Sequence, residues 1–123
     1  MCRLFVEADP ILWQNASRSL RINGFATSLR LENLFWNVLE EIARRDGMTT
    51  NELICRLHDE MQQNAGDVEN FTSFLRVCCG RYLRLQADGA IPADDRIPLR
   101  SLDADAVLAR ERRPAAWRAG ASL

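Results

Sequence analysis

Between Arg18 and Leu31 the chain alternates apolar and polar residues in two successive runs, and Asn23-Gly24 stands between them. A period of two makes a strand with one apolar and one polar face. In the first run Leu20 and Ile22 face inward, while Ser19 and Arg21 face outward, with Arg18 at the start. In the second, Leu29 and Leu31 face inward, while Ser28 and Arg30 face outward. Asn and Gly both tolerate positive φ, so the pair is a strong hairpin signal. The runs echo each other as Ser-Leu-Arg-Ile and Ser-Leu-Arg-Leu, an echo too short to make a repeat architecture.

Helical periodicity follows. Residues 32 to 46 read as a helix, with Leu34, Phe35, Val38, Leu39 and Ile42 on one stripe and Trp36 on a flank. Arg44 and Arg45 suit its C-terminal dipole, and Gly47 is a natural stop. Residues 50 to 63 read as a second helix opened by the capping box Thr49-x-x-Glu52, with Leu53, Ile54, Leu57 and Met61 as its stripe. A loop is expected over Asn64 to Asp67. A third helix is expected over residues 71 to 85, capped by Asn70 and burying Phe71, Phe74, Leu75, Cys78, Tyr82 and Leu83.

The flanks are less regular. Residues 1 to 17 form a lead segment in which Ile11 to Trp13 make either a short helix or a strip of chain on the core. Residues 86 to 123 are rich in Ala, Asp, Arg and Pro, and read as a tail, mobile or loosely docked, with room for a short helix over Asp103 to Arg113. The organisation expected is therefore a lead segment, one domain over 18 to 85, and a tail over 86 to 123.

Composition removes several function classes. The net charge is −1, so nucleic-acid binding would need a local basic patch. All 16 basic residues are Arg, planar forks able to make paired hydrogen bonds to guanine or phosphate. The four cysteines form no Cys-x-x-Cys and His58 is the only histidine, which argues against zinc or another metal. No apolar stretch has signal-peptide or membrane-spanning length, so a cytoplasmic protein with free thiols is expected. There is no glycine-rich phosphate loop and no nucleophile motif. Asp59 and Glu60 are adjacent on a helix and diverge. Trp13, Trp36 and Trp117 do not interleave with basic residues as a single-strand platform would. The expectation is a protein that is not an enzyme and carries no cofactor.

The strand segment then holds the chemistry. A major groove admits a two-stranded β-ribbon, Arg pairs with guanine, and Ser donates to a base or phosphate. A short strand beside a helical pair has unpaired backbone groups, and the same strand of a second chain would complete it.

Over Thr27 to Glu60 the sequence resembles the ribbon-helix-helix superfamily of Arc/MetJ-type bacterial repressors. The matching residues are Thr27-Ser28-Leu29-Arg30-Leu31, then Phe35, Leu39, Ile42 and Ala43, then Gly47 before the capped helix with Leu53 and Ile54. The wider stretch Arg18 to Leu83 is similar to a proteobacterial subfamily, through Arg-Ser-Leu-Arg-x-x-Gly-x-x-Thr-Ser-x-Arg-Leu-Glu leading to Phe-Trp, and a later Asn70-Phe-x-Ser-x-Leu-Arg.

The resemblance implies a mainly α fold with a short N-terminal β-ribbon, a ribbon-helix-helix dimer with an additional third helix, acting as a transcriptional regulator on double-stranded DNA. It implies base contacts from Arg30, Ser28 and Ala26, with Arg18, Ser19 and Arg21 on flanks or phosphates. It also implies a phosphate clamp by the backbone amides at Thr49, Thr50 and Asn51. The dimer core would draw on Leu29, Leu31, Phe35, Leu39, Ile42, Leu53, Ile54 and Leu57. The family strand usually follows a basic arm rather than another strand. Arg18 to Ile22 therefore either pairs within the chain or extends the dimer sheet at its edge. The rival reading is an interaction module, antitoxin-like or a scaffold, whose residues 86 to 123 bind a protein partner.

Overall fold

The computed structural model describes residues 2 to 65 and 70 to 112. A short helix α1 (Cys2–Val6) and a 3-10 turn (Pro10–Leu12) lead into strands β1 (Asn15–Ile22) and β2 (Phe25–Glu32). Helices α2 (Asn33–Arg45), α3 (Thr50–Ala65) and α4 (Phe71–Ala87) follow, then a 3-10 turn (Leu99–Ser101) and α5 (Ala104–Arg112). The fold is thus a two-stranded antiparallel sheet at the N-terminus, backed by helices, with a third helix beyond the ribbon-helix-helix set.

Asn23 and Gly24 take φ of 53° and 83°, the left-handed pair that matches the twist of the flanking strands. The hairpin lies wholly within one chain, with Ser19 opposite Ser28 and Arg21 opposite Ala26. This settles the pairing of the 18–22 segment, and β1 starts three residues earlier than the alternation suggested. The inward face buries Leu20, Ile22, Leu29 and Leu31 against the helices.

The α2–α3 turn is closed by the C-terminal pattern that Gly47 allows. With Gly47 at φ 68°, its N–H donates to the Arg44 carbonyl at 3.1 Å and that of Met48 to the Ala43 carbonyl at 2.9 Å. Thr49 then caps α3, its Oγ1 accepting from the Glu52 N–H at 3.1 Å. The reciprocal half of the capping box is absent, because the Glu52 carboxylate accepts the Thr49 hydroxyl instead. At the start of α4, Asn70 adopts φ 57° and makes no side-chain cap, so its expected capping role is not realised. Of the expected loop at 64 to 67, residues 64 and 65 belong instead to α3, and the rest lies outside the described residues.

Packing corrects several single-residue expectations. Trp36 is not on a flank. It is 1% exposed, and its Nε1–H donates to the Ala16 carbonyl at 2.9 Å. The hairpin starting at Asn15 roofs over it, which the shorter strand could not do. Leu34 and Leu83, expected in apolar stripes, are exposed, whereas Cys79 rather than Cys78 is the fully buried cysteine. In the lead segment the 3-10 turn is tied to α2 through Asn33, whose amide side chain donates to the Ile11 carbonyl at 2.9 Å.

The chain after α4 is also laid on the core rather than free, as far as residue 112. Ile91 is buried, and Leu99, Leu102 and Val107 pack against the helices. Arg45, 5% exposed, holds this segment. Its guanidinium donates to the carbonyls of Ile97 (3.0 Å), Pro92 (3.1 Å) and Asp94 (3.1 Å), and to the Tyr82 hydroxyl at 3.1 Å. The Tyr82 hydroxyl in turn donates to Glu41 at 2.5 Å. A dipole-complementing cation on the sequence is therefore a buried anchor in the fold. The end of the expected tail, with Trp117, lies outside the described residues.

Two outcomes are expected. Arg45→Met should lower the urea-unfolding free energy by about 3 kcal/mol, because it leaves three carbonyls without their charged donor. A loss below a few tenths would show that the anchor contributes nothing. Burial pushes the Cys79 thiol up to about 12. Iodoacetamide at pH 8 should therefore modify the exposed Cys2 and spare Cys79 until the protein unfolds. Equal rates for the two in the native protein would contradict this burial.

Candidate nucleic-acid interface

The hairpin register assigns every strand residue to a face. Ser17, Ser19 and Arg21 on β1 share the outward face with Ala26, Ser28 and Arg30 on β2, in the pairs Ser17–Arg30, Ser19–Ser28 and Arg21–Ala26. All six are exposed. The face carries no acid between the turn and Arg30. Glu32, at the base, is held by Arg76 at 2.9 Å, a hydrogen bond that keeps its carboxyl below the usual range. A chain of net charge −1 thus shows a local basic, hydroxyl-rich surface.

The two outward arginines differ. Arg21 donates from Nη1 to the Gly24 carbonyl at 3.1 Å, which folds it toward the turn. Arg30 has no hydrogen bond or ion pair among the described residues. Four residues of offset along the ribbon separate them by roughly 14 Å.

Arg18 belongs to the other face, by the same parity that turns Ser19 and Arg21 outward. Its guanidinium lies 4.5 Å from the centre of the Trp36 ring and binds Glu40 at 2.7 Å. An arginine is tolerated on this apolar side because its stem covers the indole while its head meets a carboxylate at the rim. Ser17 was missed as an outward residue because the alternation was read from Arg18. Carrying the period two residues further back would have found it.

Thr49, Thr50 and Asn51 stand at the start of α3, where Glu52 already takes the Thr49 side chain. The N–H groups of Thr50 and Asn51 remain available there. Helix α2 separates them from the end of β2 by about 20 Å, so one chain does not bring this turn to the ribbon face.

The residues expected in a dimer core are found in the core of a single chain. Leu31, Leu39 and Ile54 are fully buried, Leu29 and Leu53 nearly so, and Phe35, Ile42 and Leu57 are partly buried. Helix α4 supplies the cover, through Leu75, Cys79, Tyr82 and Leu85. What one chain leaves open is the outer edge of β2. A two-residue turn makes Ile22–Phe25 a hydrogen-bonded pair, so Thr27, Leu29 and Leu31 bond to β1 while the backbone groups of Ala26, Ser28 and Arg30 point away from it. No backbone bond from outside the hairpin reaches those three among the described residues. The corresponding edge of β1 is partly covered, since the Cys55 thiol donates to the Arg21 carbonyl at 3.0 Å.

No metal-binding cluster of His, Cys, Asp and Glu occurs among the described residues. His58 packs edge-on against Phe71, with ring centroids 5.0 Å apart. No described helix is long and apolar enough to cross a membrane.

Comparison with known proteins agrees with this architecture. No curated protein matches the chain. A solved structure of an uncharacterized protein from Bordetella pertussis Tohama I is 55% identical, with a TM-score of 0.89, over 100% of this chain and 97% of that one. A family model, described as a ribbon-helix-helix domain, matches residues 15–83. The match begins with the first residue of β1 and ends inside α4, so the added strand and most of the third helix fall within the matched pattern. This family is in general one of DNA-binding regulators that act as dimers. With the match covering more than half of its 123 residues, the chain belongs to the ribbon-helix-helix domain family.

Proposed function

We propose that the protein is a dimeric transcriptional regulator, a repressor of cytoplasmic location, that reads the DNA major groove with the outward face of its hairpin. The observation that carries this is Arg30, exposed and without an intramolecular partner among the described residues, on a face otherwise made of Ser, Ala and Arg21. A guanidinium with its forks open can pair with guanine in two hydrogen bonds.

Two copies would meet along the open edge of β2. An antiparallel pairing centred on Ser28 sets each Ser28 opposite its equivalent, and each Arg30 opposite Ala26 of the second copy. The N–H and C=O groups of Ala26, Ser28 and Arg30 are then satisfied. The two Arg30 side chains remain roughly 14 Å apart along the strands, which avoids like-charge opposition.

The resulting sheet has four strands and spans about 14 Å, against a groove about 12 Å wide. The central β2 pair would enter, with Arg30, Ser28 and Ala26 over base edges. The flanking β1 strands would ride on the phosphate walls, where Ser19, Arg21 and also Ser17 donate. Arg18 drops out of this set, since Glu40 and Trp36 occupy it. Thr49, Thr50 and Asn51 would take a phosphate only where the DNA passes the far end of α2.

The interaction-module reading is less supported. Within residues 86 to 123, which a partner would engage, Ile91, Leu99, Leu102 and Val107 pack on the chain's own core, and the Pro92 and Ile97 carbonyls accept from Arg45.

A fluorescence titration against genomic fragments at two salt concentrations tests the proposal. Affinity should fall steeply with salt as phosphate contacts release counterions. Arg30→Ala should cost about 1–3 kcal/mol on the selected sequence, while Arg18→Ala leaves both affinity and salt slope near wild type. An unchanged affinity for Arg30→Ala would remove the base contact on which the reading stands.

A further inference from the structure

Two large apolar side chains left in water bracket the open edge of β2. Phe25, at the tip end of the strand, is 76% exposed although its parity turns it to the inward face. Leu34, in the first turn of α2 just past the base end, is 40% exposed. Beneath the tip lies a recess of about 320 Å³, lined by Ile22 of β1, by Phe25, Thr27 and Leu29 of β2, by His58 of α3 and by Phe71 of α4. On its β1 side the recess is tied to α3, since the Asn23 amide donates to Gln62 at 3.3 Å and the Cys55 thiol to the Arg21 carbonyl at 3.0 Å. On its β2 side the Thr27 hydroxyl turns back on the Phe25 carbonyl, and no hydrogen bond joins Phe25 to Leu29 with a helix among the described residues.

Antiparallel pairing of two β2 edges about Ser28 carries each base end to the other copy's tip. Phe25 then stands opposite Leu31 of the second copy, in a non-hydrogen-bonded pair whose side chains share the inward face. Asn23 stands opposite Asn33 of the second copy. That copy's α2 therefore begins level with this hairpin's turn, and its Leu34 arrives at the untied side of the recess.

We propose that Leu34 of each copy seats in the recess beneath the other copy's Phe25, closing both ends of the paired strands with a reciprocal apolar contact. This rests on the dimer with paired β2 edges. It adds what the backbone bonds of an edge lack, because a strand edge by itself specifies its register weakly. A slip along the edge would carry Leu34 past the recess and return both side chains to water. The contact thus fixes the register centred on Ser28, and with it the spacing of the two Arg30 side chains.

Sedimentation equilibrium of the full-length protein without DNA tests this, with the short thiol-to-thiol crosslinker dibromobimane as a second readout. In a Cys2→Ser background, Phe25→Cys and Leu34→Cys should link only when the two variants are mixed. Ser28→Cys should link to itself, which reports the paired edge separately. Phe25→Glu and Leu34→Glu should each raise the dimer dissociation constant about ten-fold or more, with the circular dichroism spectrum retained. Val77→Glu, which charges an exposed apolar site on α4, should leave that constant unchanged. Linkage at Ser28→Cys with none in the Phe25→Cys and Leu34→Cys mixture would overturn the apolar contact and leave the paired edge standing. A dimer indifferent to both charged hairpin and α2 variants would do the same, and would give the recess another occupant. A monomer at all concentrations, or a dimer broken by Val77→Glu instead, would overturn both.

Discussion

Everything in this structure follows from the pairing of β1 with β2 inside one chain. A lone strand ahead of two helices has two open edges and an apolar side with too little beneath it. The Asn23-Gly24 turn supplies a second strand at once, and the register it imposes assigns each residue to a face. The inward set reaches the helices. The outward set becomes a small basic surface that the overall charge of the chain conceals. The same turn decides which edge of β2 is used internally and which is left open. In a family that generally works in pairs, that open edge is where a second copy has most to gain.

The added strand and added helix also change where the core is completed. With α4 over Leu31, Leu39 and Ile54, one protomer closes its own interior. In the proposed dimer, association would then supply sheet continuity to a protomer whose Leu31, Leu39 and Ile54 are already buried. This is a different balance from two bare strand-helix-helix units, each of which would have to bury its apolar side against the other. In the proposed dimer it would also widen the surface offered to DNA, from a ribbon that fits within the groove to a sheet whose outer strands would fall at the phosphates.

Much of this was legible in the residues. The two alternating runs, the turn between them, the Gly47 stop and the Thr49 cap are local signals, and each is present where local chemistry put it. The misreadings involve partners distant in sequence. Trp36 is buried because Ala16 and Arg18 cover it, and Arg18 is turned inward because Trp36 and Glu40 receive it. Arg45 looked like a helix-terminal cation. Its role as an anchor depends on carbonyls at Pro92, Asp94 and Ile97, which no periodicity in α2 reveals. The Ala- and Pro-rich composition after α4 reads as a mobile or loosely docked tail, and the path of its few apolar residues up to residue 112 shows only once Arg45 has fixed it. Within the candidate site, parity alone located Ser19, Arg21, Ser28 and Arg30. It would have placed Ser17 with them and Arg18 against them, had the strand been begun at its true first residue.

The central claim is that the outward hairpin face, and not the helical side, meets DNA. Mapping amide and arginine side-chain NMR shifts during titration with a bound duplex tests it most directly. Expected are changes concentrated at Ser17, Ser19, Arg21, Ala26, Ser28 and Arg30, with Arg18 and the α4 core unmoved. Changes confined to α4 and α5, with the hairpin face silent, would contradict it.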